Sequence, residues 1–253
     1  MRASGERPVH DHTPASLIAL HVAGYLSVNE RIGTGIGLDI GCGLGTESQL
    51  LMNSDRTVIG LDYDFATAKQ AGVNLDAAMC SDARVLPFAT DSMDWVCSSH
   101  IIEHFTDPER HVTEIARVLR PGGRLIVLTP NEPADFENPF HVHLFRPSEL
   151  ERLLAKHFPT SSVSGLTGNA ATMETFDRRR RTGRRLLALD PLGLRHKLPP
   201  RALAAIHSVG RRVLYPLLGS AGEFTTAQDF VHVDSVTDAD ESTLVLVGMA
   251  IAG

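Results

Sequence analysis

The sequence predicts a doubly wound α/β fold, a seven-stranded sheet with a helical cap inserted before the last strand. Three observations predict it. Short apolar runs alternate with helical segments from Gly33 to Pro130, the rhythm of a parallel sheet with crossovers on both faces. One of those runs passes straight into a turn of alternating glycines, Gly41-Cys42-Gly43-Leu44-Gly45, and then into a helical segment. Finally, a long periodic stretch separates the sixth run from a closing apolar strand, and it is too regular to be a loop.

Each element has its own signal. Met1 to His12 is polar and reads as a tail. Thr13-Pro14 marks a helix start, because threonine caps a free backbone N–H and proline fits the first helical position. Leu17, Leu20, Val22 and Leu26 carry that helix to about Arg31. The strand runs are Ile36–Ile40, Thr57–Leu61, Ala77–Cys80, Trp95–Ser98 and Arg124–Thr129, with helices expected at Thr46–Asn53, Ala66–Gly72 and Pro108–Leu119. Beyond Pro130, Pro147–His157 is a helix with Leu150, Leu153 and Leu154 on one face, and Val163–Leu166 is a sixth strand. Met173–Leu189 and Pro200–Leu218 read as cap helices, and Thr243–Ile251 as the closing strand. The chain therefore divides into a tail and cap helix at 1–33, a core at 34–169, a helical cap at 170–230 and the final core strand at 231–253.

Composition narrows the function. A formal charge of −6 and a pI near 6.0 argue against a polyanionic partner, so nucleic acid is not the expected acceptor. Cys42, Cys80 and Cys97 lack metal-site or disulfide spacing and read as small buried thiols. No stretch is long and apolar enough for a membrane span, and the N-terminus lacks a signal-peptide core, so a reduced, cytoplasmic setting is expected. Nothing in the sequence speaks to oligomeric state.

The glycine turn needs residues without a Cβ, both for its dihedrals and so that a ligand can approach the backbone. A dinucleotide fingerprint would place Gly or Ala at position 46, where Thr46 stands, so the bound group is not expected to carry a pyrophosphate. Asp62 ends the next strand and should return to the same sheet edge, where its carboxylate can accept hydrogen bonds from both hydroxyls of a ribose. Asp82, after the third strand, can accept from the exocyclic amine of adenine while the Ala83 N–H serves a ring nitrogen; a turn-capping role for Asp82 stays open.

The ordered set Leu38-Asp39-Ile40-Gly41-Cys42-Gly43-x-Gly45, Asp62, Asp82, Asp94-Trp95-Val96, Glu103-His104 and Leu119-Arg120-Pro121-Gly122-Gly123 resembles the class I S-adenosylmethionine-dependent methyltransferases. Within that Rossmann-like family it is similar to the ubiquinone-biosynthesis-like branch and to small-molecule and glycan methyltransferases, over residues 20 to 157. The resemblance implies S-adenosylmethionine as cofactor. It implies that Gly41, Gly43 and Gly45 pass under the methionine portion, that Asp62 holds the ribose and Asp82 with Ala83 the adenine end, that Ser98, Ser99 and His100 face the methionine moiety, and that Asp39, Cys42 and Tyr63 also belong to the cofactor site. His21-x-x-Gly24-Tyr25 resembles a family His-x-x-Arg-Tyr at the cofactor entrance, so Tyr25 joins the set while Gly24 forfeits the arginine clamp.

Methyl transfer to a hydroxyl asks the protein for alignment, water exclusion and a base. Histidine suits the last task near neutral pH. His141 and His143, just past the fifth strand, would share a face if that segment is extended, and one of them is the expected catalytic base; loop-anchoring hydrogen bonds are the competing role. His100-x-x-Glu103-His104 matches a zinc-protease pattern only formally, because it overlaps a strand end. In the related branch this segment can carry acidic metal ligands, but His100 replaces an acid, so no metal is expected and structural hydrogen bonding is. The run Arg178-Arg179-Arg180-Arg181-Thr182-Gly183-Arg184-Arg185 reads as the solvated face of a cap helix, with an anionic acceptor as the sharper alternative. The expected acceptor is a hydroxyl of a small molecule or sugar unit; an RNA methyltransferase and a catalytically lapsed cofactor-binding scaffold are the rival readings.

Overall fold

The computed structural model describes residues 13–134, 141–187 and 225–253, and of residues 179 and 182–187 the backbone only. The chain opens with α1 (Ala15–Arg31), then β1 (Gly35–Ile40), β2 (Arg56–Asp62), α2 (Phe65–Asn74), β3 (Ala77–Cys80) and β4 (Met93–Ser99). There follow α3 (Pro108–Val118), β5 (Leu119–Pro130), α4 (Pro147–Ala155), β6 (Thr160–Gly168), α5 (Ala170–Leu187), β7 (Phe230–Val233) and β8 (Val245–Ile251). Local chemistry sets the helix starts. The Asp64 carboxylate accepts the Thr67 N–H at 3.0 Å before α2, and Asp107 caps α3 ahead of Pro108.

The strands form one sheet in the order β3-β2-β1-β4-β5-β8-β6-β7. Eight strands stand where seven are expected, the extra one being β7 at the edge. Its four residues give too short an apolar run to announce a strand. β1 pairs in parallel with both β2 and β4, so the chain leaves β1 in one direction through β2 and β3 and then returns to its other side. That reversal puts the topological switch point, where open α/β sheets collect their ligands, at the carboxyl ends of β1 and β4. β8 runs antiparallel between β5 and β6, so the last strand closes the sheet's interior. The core lies where Leu38, Ile40, Val96, Leu125 and Val127 meet the buried faces of α3 and α4.

Residues divide between two compact units. The larger takes Gly24–Asp135, Phe140–Thr167 and Val231–Gly253, and it contains the sheet edge with the glycine turn. In the smaller, α5 is held by Asn169, whose side chain donates to Asp229 at 2.8 Å, and by the edge-on packing of Phe176 and Phe230.

Several elements depart from expectation. The helix expected at Thr46–Asn53 is a single 3-10 turn, Ser48–Leu51. Ser48 is turned inward onto Asp39, and Asn53 bridges back to Arg56, so no further turn can form. β5 begins at Leu119, ahead of the expected Arg124, because Leu119 already pairs with Met93 across a bulge. A Cβ at Gly24 would come within 2.8 Å of Leu128 Cδ1, so any side chain there would require Leu128 to shift. Cys42 and Cys97 are buried as expected, whereas Cys80 is exposed at the end of an edge strand. On α5, Arg180 is buried and paired with Asp177 at 3.3 Å, against the outward-facing expectation. The tail at 1–12 and the expected helix Pro200–Leu218 lie outside the described residues, as do the side chains of Arg184 and Arg185. No described helix is long and apolar enough to cross a membrane.

Candidate active site

The glycine turn is stitched to the neighbouring strand end. The Gly41 and Cys42 N–H groups donate to the Leu61 carbonyl at 2.7 and 3.1 Å, and the Ser81 N–H donates to the Asp62 carbonyl at 3.1 Å. The ends of β1, β2 and β3 therefore present Gly41–Gly45, Asp62 and Asp82 along one edge. Asp62 Oδ1 accepts the Asp64 N–H at 2.8 Å, which fixes the carboxylate plane. Tyr63 is largely exposed beside it.

The three glycines are required for different reasons. All have left-handed backbones, with φ of 81°, 57° and 77°. A Cβ on Gly41 would strike Ile101 at 2.3 Å, and one on Gly45 would press on Leu75 at 3.0 Å. A Cβ on Gly43 would meet nothing within 4 Å. The backbone at Gly43 thus faces open space. Gly43→Ala should therefore cost only about 1–2 kcal/mol of stability for its left-handed φ, yet raise the Kd for adenosylhomocysteine more than about tenfold by occupying the ligand's volume. A thermal melt and a calorimetric titration of the same variant check both halves.

Asp39 and Tyr25 lie beneath this surface. Asp39 is fully buried, and its Oδ2 accepts hydrogen bonds from the Tyr25 and Ser48 hydroxyls. Burial pushes its pKa up to about 6, against the opposing pull of Ser48, Tyr25 and Cys97. The folded state thus prefers the protonated acid. The stability this contributes is complete below the unfolded pKa near ~3.9 and is lost as pH rises through 6. Asp39→Asn escapes that loss. Between pH 4.5 and 8 the wild type should weaken by about 2 kcal/mol relative to the variant, which paired melting curves will read.

Asp82 is engaged by its own turn. Arg84 grips the carboxylate through Nε at 3.0 Å and Nη2 at 2.7 Å, and its N–H adds a third bond at 2.9 Å. These bonds hold the Asp82 pKa below the ordinary range although burial opposes them. Ser98 and Ser99 are buried at the end of β4. His100 follows with a positive φ of 54°, its N–H bonded to the Leu128 carbonyl at 2.8 Å.

His141 and His143 part company. The Val142 and His143 N–H groups both donate to the Glu103 carbonyl at 3.0 Å, so the segment curls around one acceptor and loses the two-residue alternation. His143 turns to Glu149, with Nε2 2.9 Å from its carboxylate, and packs on Phe145. His141 instead faces Glu103, Nε2 lying 3.9 Å from Oε1. Glu103 is the centre of the cluster. It is buried, Thr129 Oγ1 donates to its Oε2 at 3.1 Å, and His100 Nδ1 stands 3.6 Å from its Oε1. Burial pushes its pKa up, but His100, His104 and His141 together outweigh this and hold it below the usual carboxylate value. Glu103, His104 and His141 bring ligand atoms within 4.8 Å of one another, a two-imidazole, one-carboxylate set that could hold a transition-metal ion.

Sequence reasoning reads Glu103 only as a member of the His100-x-x-Glu103-His104 segment, without its place at the centre of the cluster, and overlooks His111. The latter does leave a signal: it is a histidine on the buried stripe His111, Val112, Ile115 and Val118 of an amphipathic helix.

The fold is of the doubly wound α/β class, with Gly41–Gly45 and Asp62 at the carboxyl ends of neighbouring parallel strands. Residues 38–127 match the methyltransferase domain family. A probable S-adenosylmethionine-dependent methyltransferase of Mycolicibacterium smegmatis is 37% identical over 125 residues, covering 46% of this chain and 49% of the relative. The malonyl-acyl-carrier protein O-methyltransferase of Herminiimonas arsenicoxydans is 36% identical over 94 residues, 36% of each chain. The chain thus spans half or less of the length of these curated relatives. Among solved structures, a SAM-dependent methyltransferase from Thermotoga maritima shares the fold with a TM-score of 0.62 at 16% identity, covering 94% of this chain and 91% of the other.

Proposed function

We propose that the protein transfers a methyl group from S-adenosylmethionine to a hydroxyl of a small molecule or sugar unit, with His141 as the base and Glu103 behind it. The cofactor supplies an activated methyl on a sulfonium with a neutral thioether as leaving group. The chain's own residues do the rest. Asp62 binds the ribose hydroxyls, Gly41–Gly45 offers bare backbone to the methionine portion, and Asp82 with Ala83 receives the adenine. His141 takes the hydroxyl proton, and the imidazolium so formed sits against the buried Glu103 carboxylate. Alignment and exclusion of water supply most of the rate, and the base adds roughly a further 10²–10⁴-fold.

The observation that carries this reading is the buried Glu103 carboxylate, whose Oε1 lies 3.9 Å from His141 Nε2. A relative named for O-methylation of an acyl-carrier substrate supports oxygen as the accepting atom. The segment 170–230 is read as the part that selects the acceptor, and the acidic net charge of −6 favours a small or glycan acceptor over nucleic acid.

The test is methyl transfer from labelled S-adenosylmethionine to a panel of hydroxylated small molecules, glycans and RNA. Adenosylhomocysteine release with a hydroxyl acceptor is expected. Tight adenosylhomocysteine binding without turnover on any acceptor would favour a lapsed scaffold, and labelling confined to RNA would overturn the acceptor class.

A further inference from the structure

His111 lies fully buried on α3 and takes no part in the proton transfer proposed for His141. Its ring spans two strand ends. Nδ1 stands 2.9 Å from the Ala83 carbonyl in the turn after β3, and Nε2 stands 2.9 Å from Ser98 Oγ at the end of β4. A carbonyl can only accept, so Nδ1 must carry the hydrogen. Burial lowers the imidazole pKa to about 4, which leaves the ring neutral at physiological pH and Nε2 with a lone pair. Nε2 therefore accepts from the Ser98 hydroxyl. This tautomer satisfies both partners, whereas the other would set a ring lone pair against the Ala83 carbonyl.

The same turn is braced from its outer side. Phe105 packs on the His111 ring at 5.1 Å, the Arg84 guanidinium sits over Phe105 at 5.8 Å, and Arg84 grips Asp82. Asp82 and Ala83 are thus clamped between an imidazole on the carbonyl and a guanidinium on the carboxylate. We propose that His111 is a positioning residue: it ties the turn at Asp82–Ala83 to β4 and so sets the separation between the adenine end and the rest of the cofactor cradle. This role rests on S-adenosylmethionine occupying that cradle.

The amide side chains separate the two ring nitrogens, because asparagine can place an N–H near the Nδ1 position and glutamine places its amide near the Nε2 position. His111→Asn keeps the link to Ala83, whereas His111→Gln keeps only the link to Ser98. Calorimetry with adenosylhomocysteine, and separately with adenosine, should find His111→Asn within about threefold of wild type. His111→Gln and His111→Leu should weaken both ligands by about tenfold or more, since the Ala83 carbonyl loses its partner. Adenosine should weaken by the same factor as adenosylhomocysteine, because the fault lies at the adenine. Equal affinities for the Asn and Gln variants, or a lower Tm with unchanged Kd in both, would overturn the role of His111. Should His111→Leu fail to fold, the Asn and Gln pair still decides. No heat from the wild type would instead remove the cofactor reading itself, so the two failures are distinguishable.

Discussion

Asp62→Ala should raise the Kd for adenosylhomocysteine about 100-fold or more. A carboxylate accepting from two ribose hydroxyls makes two charge-assisted bonds, each worth about 1.5–3 kcal/mol, and 1.4 kcal/mol is a factor of ~10. The side chain is set up for this in advance of the ligand, because the Asp64 N–H already orients Oδ1 and the Ser81 N–H ties down its backbone carbonyl. Asp62→Asn is the sharper variant. Its amide oxygen can keep the Asp64 bond, but the nitrogen then faces the hydroxyls as a donor, and the charge is gone. A loss of about tenfold is expected there. Titration calorimetry on both variants, with circular dichroism to establish folding, checks the pair. An unchanged Kd in Asp62→Ala would leave the glycine turn without a nucleoside to hold.

His141→Ala should lower kcat by about 10²–10⁴-fold with little change in KM for the cofactor, as loss of a general base does. Glu103→Gln should lower kcat less and move the pH profile. In the wild type the buried carboxylate stabilises a protonated His141. Removing its charge should therefore shift the acidic limb of kcat/KM, where the base takes up a proton and activity falls, to lower pH. His143→Ala serves as the contrast. Its ring is committed to Glu149 and Phe145, so kcat should move by less than about threefold. If His141→Ala and His143→Ala lose equal activity, the separation of the two histidines has no catalytic meaning.

Most of the sheet is legible in the amino-acid order, because buried parallel strands write themselves as short apolar runs and their termini carry turn residues. Asp64 and Asp107 cap α2 and α3 through chemistry that spans only three residues. The glycine turn and Asp62 are legible because a left-handed backbone and a strand-end carboxylate are local requirements. The misreadings share a cause. Alternation places His141 and His143 on one face only if the chain is extended, and two N–H groups converging on the Glu103 carbonyl cancel it. Ser48 reads as an ordinary helix residue, but Asp39 claims its hydroxyl.

The sequence by itself determined the α/β rhythm, the bare turn at Gly41–Gly45 and the carboxylate at its side, all of which depend on neighbours along the chain. Only the tertiary structure decided which histidine meets Glu103 and that His111 joins Ala83 to Ser98. Those pairings bridge separate turns, strands and helices, and burial sets the strength of most of them. A carboxylate or imidazole removed from water answers to whatever groups the fold brings within reach, and periodicity cannot count them.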